Sequence, residues 1–212
     1  MAQKEEKREL TPAEEKRAER LKLISEELAG QGYTRFDRTI DLNKANTYIV
    51  LASIPVMILG VFLYIAVNGV EAIKGLIGPG MIYYLVGSIL LIVVHELVHG
   101  LTWSIFCKNG WKSIDFGFIV KTMNPYCTCC EPLKKGQYIV GALMPLLLVG
   151  IVPTVIAFIT RSFWLLMLGL TLILGAGGDI MLVAELLRYK TDGKEVLIYD
   201  HPTEAGSILF VR

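Results

Sequence analysis

The sequence predicts an all-α membrane protein: a four-transmembrane-helix bundle, preceded by an amphipathic helix and carrying one small cytoplasmic β-hairpin-like loop. Three observations lead there. Of 212 residues, 53% are hydrophobic and the mean hydropathy is +0.52, which exceeds the apolar share of an ordinary soluble domain. Four segments, at about 48–67, 81–106, 138–158 and 163–187, each supply the roughly 20 mostly apolar residues that a bilayer crossing needs. Nearly half of the charged residues lie before Asn46, leaving the remainder largely apolar. The net charge of +1 gives no reason to expect nucleic acid as a partner.

The N-terminus is too charged for a secretory signal peptide, with Lys4, Glu5, Glu6, Lys7, Arg8 and Glu9 and no apolar core behind them. Thr11-Pro12-Ala13-Glu14 reads as a helix start: Thr11 caps, Pro12 suits the first helical position and Glu14 closes a capping box. The helix is expected to run to Gly30 with Leu21, Ile24 and Leu28 on one face, and to serve as a solvated face or a partner-docking arm. Residues 33–42 read as a short strand or an extended lead-in. Residues 68–80 form a short turn, and 160–162 a tight connection between spans. Residues 107–137 make the one sizeable internal loop, where alternation through Ile114, Phe116, Phe118 and Val120 suggests a strand and Asn124-Pro125 a turn after it. The tail contains a possible strand at 195–211, docking on the loop or the N-terminal region. The expected organisation is thus a cytoplasmic helical region (1–46), a four-span membrane domain (47–188) and a cytoplasmic tail (189–212).

Orientation follows from the basic residues. Arg35, Arg38, Lys44, Lys108, Lys112, Lys121, Lys134, Lys135, Arg188, Lys190 and Lys194 fall on one side of a four-span chain, against Lys74 and Arg161 on the other. Both termini are therefore expected in the cytoplasm, with the protein multi-pass in the cell membrane. Cys107, Cys127, Cys129 and Cys130 then sit at a reducing face, where structural disulfides are not expected.

The chemistry centres on His95-Glu96-Leu97-Val98-His99 in the second span. Histidines four apart project from one face of a helix and can grip one metal ion, and Glu96 beside them can exchange protons with water at a zinc. Ionisable groups inside a span cost roughly 2.5–3.5 kcal/mol each on insertion scales, and a bound cation offsets that cost. Two histidines leave zinc short of a third protein ligand. His201, Glu185, Asp179 and the loop cysteines are the candidates, and depth separates them. At about 1.5 Å per residue, His95 and His99 lie roughly 21 and 27 Å along the second span, and Asp179 about 24 Å along the fourth. Glu185 is nearer the interface and His201 lies in the tail. No Lys or Arg occurs within the spans to neutralise Asp179, which makes it the expected third ligand. Gly175, Gly177 and Gly178 before it, with Gly87 and Gly100 flanking the motif, permit close helix approach or a local loosening of the helix. Cys127-Thr128-Cys129-Cys130 lacks the usual spacing of a structural zinc site and reads as a loop with incidental thiols.

An intramembrane His-Glu-x-x-His with an aspartate on a later span resembles the site-2 protease type of intramembrane metalloprotease. A closer resemblance is to small bacterial membrane proteins described as putative zincin peptidases, over most of the chain from about Gly32, including Gly178-Asp179-Ile180 and Asp200-His201-Pro202. That resemblance implies His95, His99 and Asp179 as zinc ligands and Glu96 as catalytic base. The site-2 type usually sets its aspartate in Asn-Pro-Asp-Gly, where this chain has Gly-Gly-Asp-Ile; Gly141 to Pro145 matches its Gly-Pro element only loosely.

The expected function is a membrane-embedded zinc metallopeptidase acting on a peptide or membrane-protein substrate from the cytoplasmic half of the bilayer, with the loop strand pairing to an extended substrate or serving as a cap. The alternative is a zinc-binding membrane regulator without proteolysis. A zinc hydrolase for lipid or prenylated peptide also remains. A metal transporter would need polar residues along a path, and the first and third spans have almost none.

Overall fold

Thr11 starts the first helix through reciprocal side-chain capping. The Glu14 N–H donates to the Thr11 hydroxyl at 3.3 Å, while the Thr11 N–H donates to the Glu14 carboxylate at 2.8 Å. The computed structural model describes residues 10–73, 78–119 and 124–212; residues 1–9, 74–77 and 120–123, among them Lys74, Val120 and Lys121, lie outside the described residues. Helix α1 (Pro12–Gly30) turns Leu21 and Leu28 onto Tyr199, Ile208 and Phe210 of the chain's own tail. It is therefore neither a free solvated helix nor an empty docking arm: its apolar stripe is already covered.

The chain is mostly helical and the expected hairpin-like loop forms one small sheet, but a second, larger sheet corrects the all-α class. Strands β1 (Thr34–Thr39), β4 (Leu133–Lys134), β5 (Val196–Asp200) and β6 (Gly206–Val211) form an antiparallel sheet in the order β1-β6-β5-β4. Strands β2 (Ile114–Ile119) and β3 (Asn124–Cys129) pair as a separate antiparallel ribbon. The period of two along β5 and β6 explains how the larger sheet is held. Tyr199, Ile208 and Phe210 face α1. Val196, Ile198, Leu209 and Val211 face the opposite way, with Leu133 of β4, onto Tyr138 of α4 and onto Val183 and Leu186 near the C-terminal end of the chain's last helix. Both faces of β5 and β6 are buried while β1 stays exposed, so the tail strands cement the N-terminal helix to the helical bundle.

Among the described residues, three helices are long and apolar enough to cross a membrane: Lys44–Asn68, within α2 (Leu42–Asn68); α3 (Pro79–Ser104); and Lys135–Thr160. The last comprises α4 (Lys135–Pro145), a π-helical stretch at Leu146–Ile151 and α5 (Val152–Thr160). A fourth crossing is available if α6 (Phe163–Gly175) and α7 (Gly177–Arg188) count as one span. These two are bent by 42°, so the expected continuous fourth span is broken at Ala176. Gly175, Gly177 and Gly178 are the reason, glycine being the poorest helix former after proline. Gly177 is also required for packing, since a Cβ there would lie 2.8 Å from Ile49 of α2. Only 6% of the apolar windows of the first two crossings is buried inside the protein, so their side chains form an outward hydrophobic belt.

Candidate metal centre

Helical periodicity brings His95 and His99 together one turn apart on α3, and the glycine break delivers Asp179 from the first turn of α7. His95 Nε2 lies 3.2 Å from Asp179 Oδ2, His99 Nε2 lies 3.4 Å from the same oxygen, and the two Nε2 atoms are 3.2 Å apart. Ligand atoms about 2.0–2.1 Å from a shared tetrahedral centre are themselves roughly 3.3–3.4 Å apart, so this triangle has the size that zinc requires. Among the described residues, it is the one group of three or more His, Cys, Asp or Glu that converges in this way.

The hydrogen bonding fits the same occupant. His99 Nδ1 is 2.9 Å from the carbonyl oxygen of Gly141. A carbonyl only accepts, so Nδ1 carries the hydrogen and Nε2 presents a lone pair to the centre. Asp179 has ion-pair contacts to His95 and His99 only, among the described residues. Three electron-rich atoms converging in an apolar bundle match the donor set of a divalent cation.

The bundle fixes these side chains from behind. The Trp103 ring, one further helical turn along α3, stacks on His99 with centroids 5.0 Å apart and planes 15° from parallel. Its other neighbour is Tyr138 at 5.3 Å, and its Nε1–H donates to the Tyr138 carbonyl at 3.1 Å. Gly141 is a glycine because any Cβ there would fall inside the Trp103 indole. Tyr138 in turn donates its hydroxyl to Asp200 at the end of β5. Asp200 also accepts the Cys129 N–H at 2.7 Å, and burial pushes its carboxyl above the usual range despite these donors. The tail is thereby connected to the histidine through Tyr138 and Trp103.

Glu96 sits half-buried beside the histidines, where the backbone N–H of Cys127 approaches it. That approach depends on Gly100. A Cβ on Gly100 would lie 2.7 Å from Phe116 and 2.9 Å from Ile114, so the missing side chain lets the β2–β3 ribbon lie directly on α3. The Cys130 N–H donates to the Ser113 carbonyl at 2.8 Å, alongside the paired strands. By alternation, the Cys127 and Cys129 main-chain groups point away from β2; Asp200 occupies the Cys129 N–H.

The remaining candidates stand elsewhere. His201 accepts the N–H groups of Thr203 and Glu204 in the turn between β5 and β6, and Glu185 faces a cavity at the end of α7. The four cysteines are free, with the Cys107 and Cys129 sulfurs 3.3 Å apart; burial raises all four thiols, Cys130 to about 12. Trp103 and Tyr138 went unmarked at the level of sequence, while Gly141, Cys127 and Asp200 were noted there without these roles. Trp103 left one trace, its place four residues after His99 on the same helix face.

A His-Glu-x-x-His helix completed by a carboxylate from another helix is the kind of site that zinc hydrolases use. The family model described as putative zincin peptidase matches residues 88–193, half of the chain, and the protein belongs to that family. The match takes in both histidines, Glu96 and Asp179, and implies a zinc-dependent metallopeptidase. No curated protein and no solved structure matches the chain.

Proposed function

We propose that the protein is a membrane-embedded zinc metallopeptidase, with His95, His99 and Asp179 as metal ligands and Glu96 as general base. The observation that carries this reading is the triangle of Nε2, Nε2 and Oδ2 atoms at tetrahedral-edge spacing beside Glu96. The outward apolar belt supports bilayer placement, since surface of that extent in water would drive aggregation. The distribution of Lys and Arg supports cytoplasmic termini.

Zinc bound at this triad supplies Lewis acidity that makes water nucleophilic near neutral pH and polarises a peptide carbonyl. Glu96 takes the proton from the attacking water and returns it to the leaving amine, which lets one carboxylate serve both halves of hydrolysis. His99 stays in its productive tautomer because Gly141 accepts from Nδ1. The β2–β3 ribbon lies beside Glu96, which supports binding of an extended peptide along it. Membrane-anchored segments entering from the cytoplasmic half of the bilayer are the expected substrate class.

Glu96→Gln tests the reading. The purified full-length variant is expected to keep its zinc and lose cleavage of a quenched-fluorescent peptide library. Cleavage at the wild-type rate would remove Glu96 as the base. A wild-type protein that binds zinc but cleaves no member of the library, soluble or membrane-anchored, would favour a zinc-binding regulatory role.

A further inference from the structure

A second site lies at the far end of α7, where the chain leaves the apolar belt. A cavity of about 600 Å³ is lined there by Arg38, Arg188 and Lys190, with Glu185 and Tyr189, and is backed by the buried Leu186 and Leu209. That volume is in the range of sites for small ligands, about 300–1,000 Å³. The Arg38 guanidinium lies over the Tyr189 ring, 5.9 Å from its centroid, and Lys135 at the start of α4 donates to the Tyr189 carbonyl at 2.8 Å. Tyr189, Lys135 and Arg188 thus mark one level, the polar end of two candidate crossings, while neighbouring Leu187 is 63% exposed on the apolar side.

The charge pattern is unusual for this surface. Arg20, Arg35 and Arg212 pair with Asp115, Asp37 and Glu195. Arg38, Arg188 and Lys190 make no ion pair among the described residues, and they surround one cavity with a single carboxylate. Three unpaired cations against one acid leave a net positive basin at the height of lipid headgroups. A phosphate-bearing anion fits it, with guanidinium forks for its oxygens.

We propose that this basin binds the phosphate of an anionic membrane lipid, holding the end of α7, and with it the helix that carries Asp179, at the cytoplasmic interface. The inference rests on the membrane placement proposed above. The test is native mass spectrometry of full-length protein released from micelles containing phosphatidylglycerol or phosphatidylcholine, with and without millimolar inorganic phosphate. Phosphatidylglycerol is expected to be retained preferentially. R38Q and R188Q should each weaken it about fivefold, from the typical value of one basic residue near an anionic headgroup. E185Q should strengthen it, and zinc content reports that each variant is folded. Equal retention of the two lipids, or retention unaltered by all three substitutions, would overturn the proposal. Competition by inorganic phosphate without any lipid preference would assign the basin to free phosphate and likewise overturn the lipid claim. Extraction of the protein from membranes by alkaline carbonate tests the placement separately: release there would overturn the membrane reading itself.

Discussion

His99 Nδ1 lies 2.9 Å from the carbonyl oxygen of Gly141, joining the motif helix α3 to α4 through a buried hydrogen bond. A proton held there leaves Nε2 free for metal, and the Trp103 ring stacked on His99 prevents the imidazole from turning away.

Trp103→Leu removes that stacking surface and leaves the Tyr138 carbonyl without its indole donor. Loss of a group that orients a metal ligand typically weakens metal binding by about 10–100-fold. Competition against a zinc chelator should show a loss in that range. Unchanged affinity would mean that Gly141 alone orients His99.

Gly100→Val forces a branched side chain into the space held by Phe116 and Ile114. The β2–β3 ribbon must lift from α3, carrying Cys127 away from Glu96. Peptide cleavage is expected to fall at least tenfold while zinc remains bound, because neither histidine moves. Zinc loss in proportion to activity would show instead that the ribbon supports the metal ligands.

Asp200→Asn replaces a buried carboxylate that accepts from both Tyr138 and Cys129. The amide keeps one acceptor oxygen, so one donor meets an NH2 group. A cost of about 1.5–3 kcal/mol is expected for this charge-assisted bond, read as a lower unfolding midpoint, together with reduced cleavage. A stability change without any change in cleavage would confine Asp200 to holding the sheet.

Burial raises the Cys130 thiol to about 12. At pH 8 only about one molecule in ten thousand then carries the reactive thiolate, and Cys127 and Cys129 are raised further. Maleimide should label these three slowly in the native protein and fully after denaturation. A variant with all four cysteines changed to serine should keep its zinc; loss of the metal would bring the loop thiols into the site.

The apolar helices and the convergence of His95, His99 and Asp179 were legible because each has a local signature: runs of apolar residues, the four-residue histidine spacing, and a lone acid at matching depth. The larger sheet was harder to read. β1 pairs with β6 from Thr34 against Val211 to Thr39 against Gly206, partners almost the whole chain apart, and nothing local in six residues specifies such a pairing. The possible strands at 33–42 and 195–211 were visible singly; their union, and the capture of α1 by Tyr199, Ile208 and Phe210, depend on tertiary burial. The same holds for Asp200: the resemblance took in Asp200-His201-Pro202, but nothing local placed its carboxylate against Tyr138 and Cys129. The break at Ala176 lies between, since its glycines were visible while the 42° bend that brings Asp179 to the histidines was not.

The most direct test of the account is the metal content of purified full-length protein compared with Asp179→Ala. The wild type is expected to carry stoichiometric zinc and the variant to lose most of it, because two histidines alone leave the tetrahedral site incomplete. Full zinc occupancy in Asp179→Ala would contradict the triad and, with it, the assignment of this centre.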